Sequence, residues 1–281
     1  MKIVFSPRCL GYGSPGHPES PERVKRAKGL LESKGIGFVE AEMCGEKDIE
    51  RVHDREMIEA VKKERVLDPD TPNLPGIFKY ARLSAGGAVR AMELALEGTY
   101  AFSLMRPPGH HATRRRCGGF CYFNNIAIAV LKALEKVSKV CILDFDAHHG
   151  NGTQDILSGK ENVVYVSLHQ YGCIYPGTGG SSEGNCHNFP LNPGTGEKEY
   201  LESLKKAIDI IREFGPDLIG VSAGFDTYRD DPITDMNLEI STYEKIGMMI
   251  RGTGKPVFTV LEGGYSGRFP ECVYSYVRAF L

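Results

Sequence analysis

The segment Asp144-Phe-Asp-Ala-His-His-Gly-Asn-Gly152 sets two carboxylates and two imidazoles at the end of an apolar run, residues 137–143. That run is rich in β-branched side chains and reads as a strand. In extended chain the side chains at i and i+2 share a face, so Asp144, Asp146 and His148 can project the same way. Carboxylate and imidazole on one face suit a divalent cation. Gly150 and Gly152 allow a tight turn into the next element. A solvated surface loop would need no such cluster of candidate ligands at one strand tip.

Three more apolar segments end in chemistry. Residues 100–105 run into Arg106-Pro-Pro-Gly-His-His111, residues 217–223 into Gly224-Phe-Asp226, and residues 256–261 into Glu262-Gly-Gly-Tyr265. Asp146, His148 and Asp226 form a set that neutralises a divalent ion and leaves a position open for water and substrate. Such an ion acidifies its water and polarises a carbonyl. His110 and His111 are acid–base candidates, with Asp144 and Asn151 as partners for their second ring nitrogens. Tyr265 suits donation of a hydrogen bond to a developing oxyanion. The set outlines metal-assisted hydrolysis of an amide. Each piece alone has a plainer reading: a loop dipeptide for His110-His111, a turn cap for Asp226, a simple turn for Glu262–Tyr265. Arg114–Arg116 reads as solvated surface. Cys117 and Cys121 flank glycines rather than ligands, which argues against a zinc knuckle.

The elements that must hold these residues follow from periodicity and punctuation. Strands are expected at 2–5, 37–40, 100–105, 137–143, 163–168, 217–223 and 256–261. Helices are expected at 21–34, 46–51, 54–65, 77–96, 126–135, near 153–158, at 197–214 and 238–251, and at the end of the chain. Ser20 with Pro21 should cap the first, and Asn124 or Asn125 the fifth. Gly86-Gly87 suggests close packing within the fourth. Residues 67–76, with three prolines, and 171–188 should be long loops. Strands alternating with helices imply a largely parallel sheet covered on both faces. In such a sheet the strand carboxyl ends lie on one side, so the four chemical segments converge.

Length and composition fit one α/β domain over residues 1–281, without a linker or charge block. A net charge of −2 gives no reason to expect nucleic-acid binding. The eight cysteines are scattered, with no C-x-x-C pair, and fit reduced thiols in a cytoplasm. The start reads as a strand rather than a signal segment, and no apolar run approaches membrane-spanning length. Oligomeric state is not legible.

Taken together, Arg106-Pro-Pro-Gly-His-His111, Gly119-Phe-Cys-Tyr-Phe-Asn-Asn125, Asp144–Gly152, Ser222-Ala-Gly-Phe-Asp226 and Glu262–Tyr265 resemble the zinc-dependent histone deacetylases and their acetylpolyamine amidohydrolase and acetoin-utilisation relatives. The likeness covers nearly the whole chain. Asn151 and His17-Pro-Glu-Ser-Pro-Glu-Arg23 resemble the class II branch; class I members carry Asp at the Asn151 position. The resemblance implies the arginase–deacetylase α/β fold with a largely parallel eight-stranded sheet. It implies zinc, or iron(II), on Asp146, His148 and Asp226. It implies His110 paired with Asp144 as electrostatic support, His111 as general base and then acid oriented by Asn151, and Tyr265 as oxyanion donor. It further implies Asp70 as a rim residue gripping the substrate backbone, Gly119, Phe120 and Tyr175 lining an acyl-lysine tunnel, and Ile233 as gatekeeper. A structural potassium ion would use Asp144, Ser167 and carbonyls of Asp146, His148 and Leu168. The implied substrate is acetylated lysine in protein or peptide, or an acetylated polyamine.

Two other readings fit the residues less well. Arginase-type chemistry at two manganese ions needs carboxylates two residues beyond His148 and Asp226, where this chain has Gly150 and Tyr228. A non-catalytic acyl-lysine reader would not need His110, His111 and Tyr265 together.

Overall fold

The computed structural model describes residues 1–281. Its strands are β1 Lys2–Phe5, β2 Phe38–Glu40, β3 Ala101–Ser103, β4 Val140–Asp144, β5 Val163–Gln170, β6 Cys186–Leu191, β7 Leu218–Ala223 and β8 Val257–Leu261. The helices are α1 Pro21–Ser33, α2 Glu46–Glu50, α3 Arg55–Lys62, α4 Ile77–Leu96, α5 Asn125–Ala133, α6 Asn151–Leu157, α7 Glu197–Phe214, α8 Ile240–Arg251 and α9 Phe269–Arg278. All eight strands form one sheet in the order β2-β1-β3-β8-β7-β4-β5-β6, and every neighbouring pair is parallel.

The central strands are apolar and fully buried, as expected where helices cover both faces. In register, Asp144 pairs Ser222 and Ser222 pairs Val260, so β4, β7 and β8 end at one level. The segments that follow them therefore emerge side by side. Asn124 caps α5 by accepting a hydrogen bond from the Ala127 amide at 3.0 Å. Gly86 and Gly87 lie where α4 meets neighbouring backbone and side chains too closely for a Cβ. No helix is long and apolar enough to cross a membrane.

Several expectations shift. Ser20 precedes Pro21 at the start of α1, but its side chain makes no capping bond. The helix expected at 54–65 stops at Lys62, where Glu64 takes a positive φ. α6 begins at Asn151 rather than near 153, which puts Asn151 in its first turn. The loop expected over 171–188 is shorter, because β6 starts at Cys186. That strand is an edge, contains Pro190 and is partly polar, so it lacks the apolar run that marks its neighbours.

Candidate active site

Asp146, His148 and Asp226 are buried, and one donor atom from each lies within 4.8 Å of the others. His148 Nδ1 is 3.1 Å from both Asp146 Oδ1 and Asp226 Oδ2. Backbone amides fix the carboxylates: Gly263 donates to Asp146 Oδ2 at 2.7 Å and Ala147 to Asp226 Oδ1 at 2.8 Å. A side chain at Gly263 would strike both carboxylates, so this turn requires glycine. Burial and the adjacent Asp146 charge push the Asp226 carboxyl up from its ordinary range. Two carboxylates this close and this dry call for a cation between them. The donor set of two oxygens and one imidazole fits a divalent metal ion such as zinc.

Asp144 does not join this group. β4 ends at Asp144, the extended backbone stops there, and the side chain turns to His110 Nδ1 at 3.1 Å and the Tyr165 hydroxyl at 3.0 Å. Burial alone would lower His110, but the Asp146 and Asp144 charges outweigh it and lift the imidazole to about 10. His111 goes the other way. Burial and the neighbouring His110 charge hold it well below its ordinary value. Its Nδ1 is 2.8 Å from Asn151 Oδ1. Because that amide oxygen only accepts, Nδ1 must carry the proton, and Nε2 is left as the basic nitrogen. One charged and one neutral imidazole stand 4.0 Å apart, a split that suits electrostatic and acid–base roles.

His110, His111, Asp146 and His148 form the floor of a pocket of about 360 Å³, with Asp226 buried behind His148. Phe120 and Tyr175 are its walls; Tyr175 packs edge-on to His111 at 4.8 Å and Phe120 to Tyr265 at 5.7 Å. Gly119 has φ +53°, and a Cβ there would meet His111 at 2.5 Å and Tyr175 at 2.8 Å. Asp70 and Ile233 also line the cavity, and the exposure of Tyr175 and Ile233 (42% and 36%) puts them towards its mouth. Ser167 and Leu168 are buried on β5 outside the pocket. Ser167 is the register partner of Asp144, and its hydroxyl meets His169 Nδ1 at 2.8 Å. Arg114 and Arg115 engage Asp54, away from the floor. The Cys117 and Cys121 thiols donate to backbone carbonyls of Tyr122 and Gly119.

Five further residues hold the site in place, and none has a role legible in the sequence: Glu262, Asp231, Arg23, Arg106 and Glu19. Glu262 accepts the Gly109 and His110 amides at 2.7 and 3.1 Å and the Ser222 hydroxyl at 3.1 Å, tying three strand ends together. Burial lifts its carboxyl to about 7. Asp231 accepts the Tyr265 and Ser266 amides at 2.7 and 3.2 Å, and the Ile233 amide through its other oxygen. Arg23 donates to the Gly264 carbonyl at 2.9 Å and stacks 4.9 Å over the Tyr265 ring. Arg106, fully buried, grips Glu19 in a bidentate pair at 2.7 and 2.6 Å and also donates to the Cys9 and Tyr12 carbonyls. Glu19 and Arg23 both lie in the His17–Arg23 segment that carries the class II resemblance, but nothing local to it points to Arg106.

That pair anchors the start of the His110–His111 loop. Burial would raise the Glu19 carboxyl, but the Arg106 guanidinium outweighs it and holds it below its ordinary value. Glu19→Ala leaves a buried guanidinium without its counter-charge and is expected to cost about 3–5 kcal/mol in urea unfolding. A loss below about 1 kcal/mol would contradict this role for the pair.

A model described as the histone deacetylase domain matches residues 17–280. The chain is 42% identical to a probable deacetylase of Methanothermobacter thermautotrophicus, over 94% of this chain and 86% of that protein. It is 38% identical to a histone deacetylase-like amidohydrolase of Pseudomonas aeruginosa, over 92% and 75% of the two chains. Among solved structures, an acetylpolyamine aminohydrolase from Burkholderia pseudomallei superposes with a TM-score of 0.95 at 27% identity, covering 100% of this chain and 98% of that one. The parallel eight-stranded sheet with its helices is the arginase–deacetylase fold. With the domain match spanning nearly its full length, the chain belongs to the histone deacetylase family of amidohydrolases.

Proposed function

We propose that residues 1–281 act as one catalytic domain that removes acetyl, or a related acyl group, from the side-chain amine of acyl-lysine. The observation that carries this reading is the convergence of Asp146, His148, His111 and Tyr265 on one aromatic-walled pocket, with Asp226 grouped with Asp146 and His148 at its floor. A divalent ion held by Asp146, His148 and Asp226, zinc or alternatively iron(II), would supply Lewis acidity that activates water and polarises the amide carbonyl. Phe120 and Tyr175 would flank the aliphatic stem of the lysine, and Asp70 at the rim would accept backbone N–H groups. His111 Nε2 would take the proton from the attacking water and then return it to the leaving amine. Asn151 fixes its tautomer from the far side. The Tyr265 hydroxyl would donate to the oxyanion; burial pushes that phenol well above its ordinary value, so it keeps its proton. His110, held charged by Asp146 and Asp144, adds positive potential beside the developing negative charge.

The register pairing of Asp144 and Ser167 supports a structural potassium ion held with carbonyls of Asp146, His148 and Leu168. Eight free thiols support a reducing, cytoplasmic setting. The second reading, an acetylpolyamine amidohydrolase, draws on the Burkholderia relative and on Asp70 at the rim. Against it, Ile233 brings an apolar side chain to the mouth where a cationic amine would pass.

Amine release by zinc-loaded protein from an acetyl-lysine peptide, free acetyl-lysine, acetylputrescine and acetylspermidine separates the two. The expected kcat/KM for the peptide is about tenfold or more above either polyamine. The reverse order would move the assignment to the polyamine reading.

A further inference from the structure

A second depression, about 520 Å³ against about 360 Å³ for the catalytic pocket, lies beside the tunnel mouth. Residues two apart on the same loops line the two cavities. Asp68 borders the second and Asp70 the first, on one loop. Thr71 donates to Asp68 Oδ2 at 2.7 Å and accepts the Phe120 amide at 3.0 Å, so it links the groove edge to the tunnel wall. Cys117 lines the groove, and two residues later Gly119 lines the tunnel.

The groove presents Met57 of α3, Leu67 and three arginines, Arg65, Arg115 and Arg116, against two carboxylates, Glu56 and Asp68. Arg115 is held by Asp54 at 2.9 Å, and the Asp68 carboxylate already accepts the Thr71 hydroxyl. Arg65 and Arg116 are exposed and make no ion pair. Leu67 is 99% exposed, yet its loop is pinned: Asn73 accepts the Val66 amide at 2.7 Å and donates to the Val66 carbonyl at 2.9 Å. A fixed, fully exposed leucine between unpaired guanidinium groups, continuous with a substrate tunnel, has the character of a recognition surface.

We propose that this groove docks the polypeptide flank of an acyl-lysine substrate and favours acidic residues against Arg65 and Arg116 with an apolar one against Leu67. The proposal rests on the acyl-lysine reading and names the substrate class within it. A free acetylpolyamine carries no carboxylate to set against Arg65 and Arg116.

The test uses three acetyl-lysine peptides with acidic, neutral or lysine-rich flanks, and a blocked acetyl-lysine without flanks. The expected kcat/KM is about tenfold higher for the acidic flank than for the lysine-rich one, expressed in KM and weakened by salt. In the Arg65→Glu/Arg116→Glu double variant the order reverses, while turnover of blocked acetyl-lysine stays unchanged. Equal turnover of the three peptides, or an unaltered preference in the double variant, would overturn the proposal. If no acyl-lysine compound turns over while acetylspermidine does, the acyl-lysine reading itself has failed. The groove is then judged by fluorescence anisotropy of a labelled acidic peptide without acyl-lysine. Binding lost in the double variant supports an acidic-peptide site, and no binding to wild type removes it.

Discussion

Asp226→Ala should lose its metal on dialysis and its amine release with it. In the proposed site Asp226 would supply one of three protein donors, and removing it would leave Asp146 and His148, too few to hold a divalent ion firmly. Changes to groups merely supporting a metal ligand cost about 10–100-fold in affinity, so loss of a ligand itself should exceed about 100-fold. Turnover should fall on the order of 1000-fold, the scale of several kcal/mol of Lewis-acid stabilisation. Asp226→Asn serves as the companion. Its amide oxygen can still accept the Ala147 N–H, the 2.8 Å bond that fixes this turn, while its charge is gone. Both variants should keep a native circular dichroism spectrum and fail metal analysis after dialysis. Stoichiometric metal with wild-type turnover in either variant would contradict the ligand assignment.

Tyr265→Phe separates the oxyanion role from metal binding. None of the contacts that place this residue uses its hydroxyl. Its amide donates to Asp231, its ring lies under Arg23, and its edge meets Phe120. The substitution therefore deletes one oxygen and leaves the ring in place. Loss of one oxyanion donor typically lowers kcat by about 100–1000-fold, and that range is expected here with metal content and KM little changed. Near wild-type kcat would refute the role. A matching loss of metal would show that Tyr265 acts through the site's structure instead.

The chemistry was more legible in the sequence than the arrangement. Asp146, His148, Asp226, His111 and Tyr265 each follow an apolar strand, and parallel topology alone brings such ends to one side. The order of strands is another matter. Nothing local shows that β8 lies between β3 and β7, which sets Gly263 against Asp146 across 117 residues. Glu262 looked like part of a turn because its partners, Gly109, His110 and Ser222, sit on other strand ends. The Glu19–Arg106 pair joins positions 87 residues apart. β6 was hidden by Pro190 and its edge position, where the alternation of buried and exposed side chains is incomplete. Asp144 partners His110 as its position suggests, but it does not share a face with Asp146 and His148, because the extended backbone ends with β4. The misses share one cause: each is a long-range polar contact or an irregular backbone, and neither leaves a periodic signature.

The central claim, amide hydrolysis at a metal held by Asp146, His148 and Asp226, is tested most directly by stripping and restoring that metal. Amine release from the acetyl-lysine peptide would be followed for protein dialysed against chelator and then titrated with zinc, with metal content measured in parallel. The account predicts that release stops in the stripped protein and returns in proportion to zinc up to one ion per chain. Undiminished release from protein shown to be metal-free would contradict it.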